Sequence, residues 1–193
     1  NIVLGGGTLK YTGSTATSDR AFTITAGTTG TIDVPTGVTL TLAGATGTTT
    51  TGALTKTNSG TLNLSGVNTY TGTTTISAGT LAITGSGSLN SGSYAGSIVD
   101  NATFIYSSSA TQTLSGVISG TGALTKDTDT SSVLTLSNTN TYTGVTTINA
   151  GTISVGTIGN GGAAGNLGQA TNASTNIVLG GGTLKYTGST ATS

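Results

Sequence analysis

The sequence predicts an all-β chain wound into a single-stranded parallel β-helix, a β-solenoid of about eight coils in each 175-residue tandem unit. Three observations carry this. Apolar residues recur two apart in short runs bounded by Gly or Thr-Gly, the spacing of strands with one face inward. A 32-residue stretch, Gly52 to Ile83, returns at Gly122 to Val155. And Asn1 to Ser18 recurs letter for letter as Asn176 to Ser193. Residues 1–175 therefore read as one repeat unit, and residues 176–193 as the start of the next.

Composition agrees. About a quarter of the 193 residues are Thr and 33 are Gly, while only 5% are charged, and His, Glu, Cys, Met and Trp are missing. Thr suits a pleated surface and Gly suits the corners between strands. One Pro and regularly spaced Leu, Ile and Val argue against a disordered stalk. Two Phe and six Tyr are too few for the bulky core of a sandwich or the aromatic anchors of propeller blades. A narrow interior of stacked Leu, Ile, Val and Ala asks for nothing larger. One coil alone buries too little apolar surface to offset its ordering entropy, so stability must come from neighbours.

Taken in order, strands are expected at Ile2 to Leu4, Thr8 to Thr12, Ala21 to Thr25, Thr31 to Val34 and Val38 to Leu42. The inward pairs are Leu9 and Tyr11, Phe22 and Ile24, Ile32 and Val34, and Leu40 and Leu42. They continue with Leu62 and Leu64, Leu81 and Ile83, Leu134 and Leu136, and Ile153 and Val155. Outward places go mostly to Thr, Ser, Asn and Lys. A weaker echo aligns Ser97 to Tyr106 with Asn1 to Tyr11, putting Phe104 and Tyr106 inside and Ile105 outside. Two stretches read as loose: Gly85 to Gly96, and the junction at residues 156–175, rich in Gly, Ala and Asn.

The wording GALTKTNSGTLNLSGVNTYTGTTTISAGTLAI resembles the autotransporter-associated β-strand repeat of passenger regions in large bacterial surface proteins, and Gly122 to Val155 resembles it nearly as well. The introducing LSGVISGTGALTK, Leu114 to Lys126, is also typical of that family. The resemblance implies a right-handed parallel β-helix, exported and displayed on or beyond the outer membrane. The second copy departs from the pattern by two extra residues around Asp127 to Ser132, and no C-terminal translocator barrel is recognisable.

Chemistry is sparse. The titratable inventory is Asp19, Asp33, Asp100, Asp127 and Asp129 with Lys10, Arg20, Lys56, Lys126 and Lys185. Without His or Glu the usual acid–base pairs are missing, so the expectation is no enzyme, no catalytic residues, no cofactor and no metal site. Asp127-x-Asp129 could offer oxygens to Ca²⁺, but two carboxylates are few and a solvated corner beside Lys126 is the plainer reading. Asp19-Arg20 reads as an exposed turn pair. Gly5-Gly6-Gly7 reads as a corner, since no helix or phosphate-loop lysine follows.

Tyr70 and Tyr142 hold the same place in NTYTG, either as platforms for a glycan or as covers for the corner, the second being favoured. Thr23-x-Thr25, Thr39-x-Thr41, Thr73-x-Thr75 and Thr111-x-Thr113 would make an ice-binding array if they shared one face, although outward Thr suits any neutral sheet. Zero net charge gives nucleic acid nothing to bind, and no apolar run is long enough for a membrane helix. The expected role is structural: a repeat of a long extracellular fibre, adhesin stalk or surface coat, with its own neighbouring units as partners end to end, lateral rod packing and surface glycans as further contacts, and a glycan-binding adhesin module as the alternative.

Overall fold

The computed structural model describes residues 1–45, 48–128 and 130–188. In chain order the strands are β1 Ile2–Leu4, β2 Thr8–Lys10, β3 Ala16–Ser18, β4 Phe22–Ile24, β5 Thr29–Asp33, β6 Thr39–Leu42, β7 Ala53–Thr57, β8 Thr61–Leu64, β9 Val67–Asn68, β10 Thr74–Ile76, β11 Thr80–Gly85 and β12 Ser88–Leu89. They continue as β13 Ser93–Tyr94, β14 Ile98–Asp100, β15 Thr103–Ser108, β16 Gln112–Leu114, β17 Ile118–Ser119, β18 Ala123–Lys126, β19 Val133–Leu136, β20 Thr146–Ile148, β21 Thr152–Val155, β22 Ile177–Leu179 and β23 Thr183–Tyr186. One short helical turn, Asn90–Gly92, is the only helix among the described residues. Strands are three to six residues in most places because Gly corners interrupt them at that interval.

The chain is an all-β parallel solenoid of about seven turns. Every pairing between named strands among the described residues is parallel and joins one turn to the next. One face is a six-stranded sheet in the order β17-β14-β10-β7-β5-β2 and a second is eight-stranded, β22-β20-β18-β15-β11-β8-β6-β3. The third face is pieced together from β1-β4, β9-β12 and the five-stranded β13-β16-β19-β21-β23. The Phe22, Tyr70 and Tyr94 rings run up this face, 6.2 Å and then 5.8 Å between centroids, and tie its parts together.

The turn count falls slightly below eight because the turns are longer than about 20 residues. Leu62 pairs with Leu81 and Leu54 with Thr74, but Thr74 with Ile98 and Thr146 only with Ile177, across the junction loop. The core is one continuous column in which each expected inward pair beyond Leu9 and Tyr11 is buried, with those two partly buried against it. Phe104 and Tyr106 are buried and Ile105 lies half-exposed on the outer face.

Two expectations change. Gly85 to Gly96 is not loose: it holds β12, the helical turn and β13, and Tyr94 within it is fully buried. A strand at Ala16–Ser18 also forms where the apolar signal is a single Ala, because its backbone pairs with β6. The junction at residues 156–175 does lack strands, yet Asn166 and Leu167 anchor it to the core.

Candidate functional site

The interior is not wholly apolar. Side chains two apart on a strand point the same way, so Lys56 follows Leu54 inward, Lys126 follows Leu124 and Asp100 follows Ile98; all three are buried. This corrects the outward placement of the GALTK lysines and the reading of Lys126 as part of a solvated corner. The Lys56 ammonium donates to the carbonyls of Thr57 and Asn58 at 2.7 Å and to Ala78 of the next turn at 3.3 Å. Asn58 has a left-handed backbone, φ 63°, which curls those carbonyls toward the Nζ. Burial lowers the Lys56 pKa to about 8, partly opposed by the Asp33 carboxylate. Asp33 in turn accepts from the Thr57 hydroxyl at 3.1 Å, so one corner links three turns.

In the second copy Thr128 takes the left-handed place, φ 73°, and Lys126 donates to the Asp127 carbonyl at 3.3 Å while lying 5.8 Å from the centre of the Tyr106 ring. Asp100 is the third buried charge. Burial raises its pKa to about 6, against backbone N–H donors of Ala102 and Phe104 that favour the carboxylate.

The NTYTG corner is built alike in both copies. Asn68 donates to the Gly66 carbonyl at 2.8 Å; Asn140 accepts from the Ile118 N–H at 2.8 Å and donates to the Asn166 carbonyl at 2.7 Å. Asn166 then accepts from Gly156 and Thr157 and donates to Asn138, which closes the junction loop onto the last turns. Tyr70 and Tyr142 are 2% and 1% exposed, each sharing a hydrogen bond with the Thr four residues on, at 3.0 Å to Thr74 and 2.7 Å to Thr146. Burial pushes the Tyr142 hydroxyl up to about 12. Neither ring can be a glycan platform; both cover the corner from inside.

At the corners turns touch backbone to backbone. A Cβ on Gly72 would stand 2.4 Å from the Gly52 carbonyl oxygen, one on Gly96 2.6 Å from that of Gly72, and one on Gly116 2.2 Å from that of Gly96. This column is what lets four successive turns close to strand-pairing distance.

The remaining candidates are dispersed. Asp127 accepts from the Thr128 N–H at 2.8 Å, Asp129 lies outside the described residues, and among the described residues no three His, Cys, Asp or Glu come together. Asp19 and Arg20 are exposed, and Gly5 to Gly7 is the corner between β1 and β2, with Gly6 at φ 95°. The four Thr-x-Thr pairs fall on different sheets, beside or within β4, β6, β10 and β16, so they form no common array. Columns form instead across turns: Thr39, Thr61, Thr80 and Thr103 stand one above another outside the eight-stranded sheet, and Thr8, Thr31, Thr55 and Thr75 outside the six-stranded one. Their members come from differently worded turns, which hid them in the sequence.

The end carrying the repeated sequence forms a seat of its own kind. β22 pairs with β20, Thr146 to Ile177 and Ile148 to Leu179, and β23 pairs with β21, Ile153 to Leu184 and Val155 to Tyr186. The same sequence at β1 pairs on its other side, Ile2 to Phe22 and Leu4 to Ile24, and β2 pairs with β5. Leu4 is 4% exposed, whereas its equivalent Leu179 is 59% exposed.

The described residues thus form a threonine-rich parallel solenoid with glycine corners and dispersed charges. A passenger-associated-transport-repeat family model matches residues 54–83 and 131–155, the second match starting within the Asp127 to Ser132 stretch that holds the added residues. The chain is also 41% identical over 222 aligned residues to an adhesin, the BmaC autotransporter of Brucella suis biovar 1 (strain 1330), an alignment that takes in all of this chain and 6% of that protein. No solved structure matches it. Among the described residues no helix is long and apolar enough to cross a membrane.

Proposed function

We propose that the chain is a non-enzymatic segment of a bacterial surface or secreted adhesin passenger, a rod built by 175-residue units that stack end to end through unbroken β-ladders. The observation that carries this is the double behaviour of one sequence. Asn1 to Lys10 pairs upward onto β4 and β5, and the identical Asn176 to Lys185 pairs downward onto β20 and β21. One copy in a continuous array does both. The relative's description as an autotransporter adhesin agrees with a surface role, and the scattered Asp and Lys residues agree with a mechanical rather than catalytic one.

Backbone ladders along the axis carry load, and stability accrues unit by unit. Proteins carrying one, two and four tandem units test this by small-angle scattering and electron microscopy. At about 4.8 Å per turn, each unit should add about 35 Å of straight rod; bead-like particles joined by flexible segments would refute it. The relative's description as an adhesin also agrees with a surface-contact role such as glycan binding, and with Tyr70 and Tyr142 buried that contact falls to the outward Thr columns. Glycan binding abolished by Thr61→Ala with Thr80→Ala, on an intact rod, is the result that reading requires.

A further inference from the structure

We infer that successive 175-residue units are rotated about the rod axis by one face, a third of a turn, so that the rod shows any given surface in three directions in rotation. The inference rests on the end-to-end reading and adds the phase of the stack. Its basis is where identical sequence lies. Ile2–Leu4 belongs to the third face, paired with β4, and Thr8–Lys10 to the six-stranded face. The identical Ile177–Leu179 belongs to the eight-stranded face, and Thr183–Tyr186 to the five-stranded sheet of the third. Both strands have moved in the same sense by one face. The unit therefore does not hold a whole number of turns.

A shift of one face, in the opposite sense, operates inside the unit. In the first motif copy the ALTK strand β7 lies on the six-stranded face and TLNL, β8, on the eight-stranded one. In the second, ALTK is β18 on the eight-stranded face and VLTL is β19 on the third. Pairing within each copy is unchanged: Leu54 meets Thr74 and Leu62 meets Leu81 in the first, Leu124 meets Thr146 and Leu134 meets Ile153 in the second. The motif keeps its own stacking and is free to start on any face, because all three faces use the same short strand and glycine corner. Turn lengths alone set the phase.

The consequence concerns contact. The Thr39, Thr61, Thr80 and Thr103 column of one unit is not continued by the same column in the next. A flat target along one side of the rod meets a given face once every three units, about 100 Å at the strand spacing. Long ribs for straight lateral packing do not form, and contact is instead offered all round the rod.

Two measurements test this. Cysteines at outward neighbours of adjacent parallel strands lie within disulfide reach, so Thr147→Cys with Val178→Cys should cross-link at least about tenfold more than Ser154→Cys with Val178→Cys. A four-unit protein with Thr61→Cys in every unit, tagged through biotin with streptavidin, should show tags stepping around the rod and returning after three units. Preferred cross-linking of residues 154 and 178, or tags in one straight row, overturns the rotation. Irregularly spaced tags with neither cross-link overturn the end-to-end stack itself.

Discussion

Replacing Gly72 by Ala should destabilise the rod at one corner while leaving its surface untouched. Added Cβ atoms essentially never approach within 3.0 Å of another atom, and here three backbone atoms, the Gly52 oxygen at 2.4 Å, the Thr51 oxygen at 2.6 Å and the Gly52 carbon at 2.7 Å, all stand closer. No side chain can swing aside. Turns must part by several tenths of an ångström, lengthening the 3.2 Å hydrogen bond from the Gly72 N–H to the Gly52 carbonyl. Overpacking of this kind costs about 2–4 kcal/mol, equivalent to a fall in Tm of roughly 5–15 °C for a chain of this size. Gly7→Ala is the control, since nothing lies within 4 Å of its Cβ position. Thermal unfolding followed by circular dichroism measures both. Equal Tm for Gly72→Ala and wild type would refute the claim that close backbone contact at the glycine column fixes the turn spacing.

Other perturbations follow from the buried polar groups. Tyr142→Phe and Thr146→Val each remove the same hydrogen bond and should each cost about 1 kcal/mol in urea unfolding, with no further loss in the double variant beyond side-chain packing. Lys56→Met removes the ammonium from the Asn58 and Ala78 carbonyls and leaves Thr57 only the Val34 N–H, at 3.3 Å, and should cost about 2–3 kcal/mol; an unchanged urea midpoint would deny the lysine its role in joining turns. Tyr70→Phe should leave surface and glycan binding unaltered, because the hydroxyl meets Thr74 inside the coil.

The sequence revealed the solenoid because a coil reports itself twice, in period-two apolar pairs and in the repeated motif. Leu54, Leu62, Leu81 and their counterparts in the second copy all lie where that period places them. The same period also placed Lys56, Lys126, Asp100, Asn68 and Tyr70 inside, two residues from a buried neighbour on their own strand or corner. Their polarity argued the other way, and what outweighed it is local: backbone carbonyls and N–H groups at the corners, and for Tyr70 the Thr74 hydroxyl, satisfy these groups as water would. Gly85 to Gly96 looked loose because Ser and Gly carry no apolar signal, yet ladder hydrogen bonds and Tyr94 order it. The phase of the unit was not legible at all, since it depends on the summed lengths of turns whose corners the sequence marks only to within a residue or two.

Asp100 shows why a stacking column tolerates a charge. It lies above Ile76, which lies above Lys56, so in register the two charges are separated by an apolar rung. A slip of one whole turn would set Lys56 or Asp100 against rungs with no carbonyls or N–H groups aimed at them, and an unsatisfied buried charge is expensive. The polar rungs thus select one register among many near-identical turns, which Leu and Ile alone cannot do. Asp100 pays for that choice in a pH-dependent way. Its folded pKa, about 6, lies above the ordinary 3.8, so the proton is held more tightly in the folded state. The group costs nothing below about pH 4, where both states are protonated; stability then falls as pH rises through 6 and levels off above it. Allowing for partial screening by solvent, the loss is about 1–2 kcal/mol. Asp100→Asn keeps an oxygen for the Ala102 N–H, bonded at 3.0 Å, and should flatten the urea midpoint between pH 4 and pH 7 while raising it at pH 7. A variant whose midpoint still falls over that interval would place the titrating group elsewhere and leave the register argument without its charge.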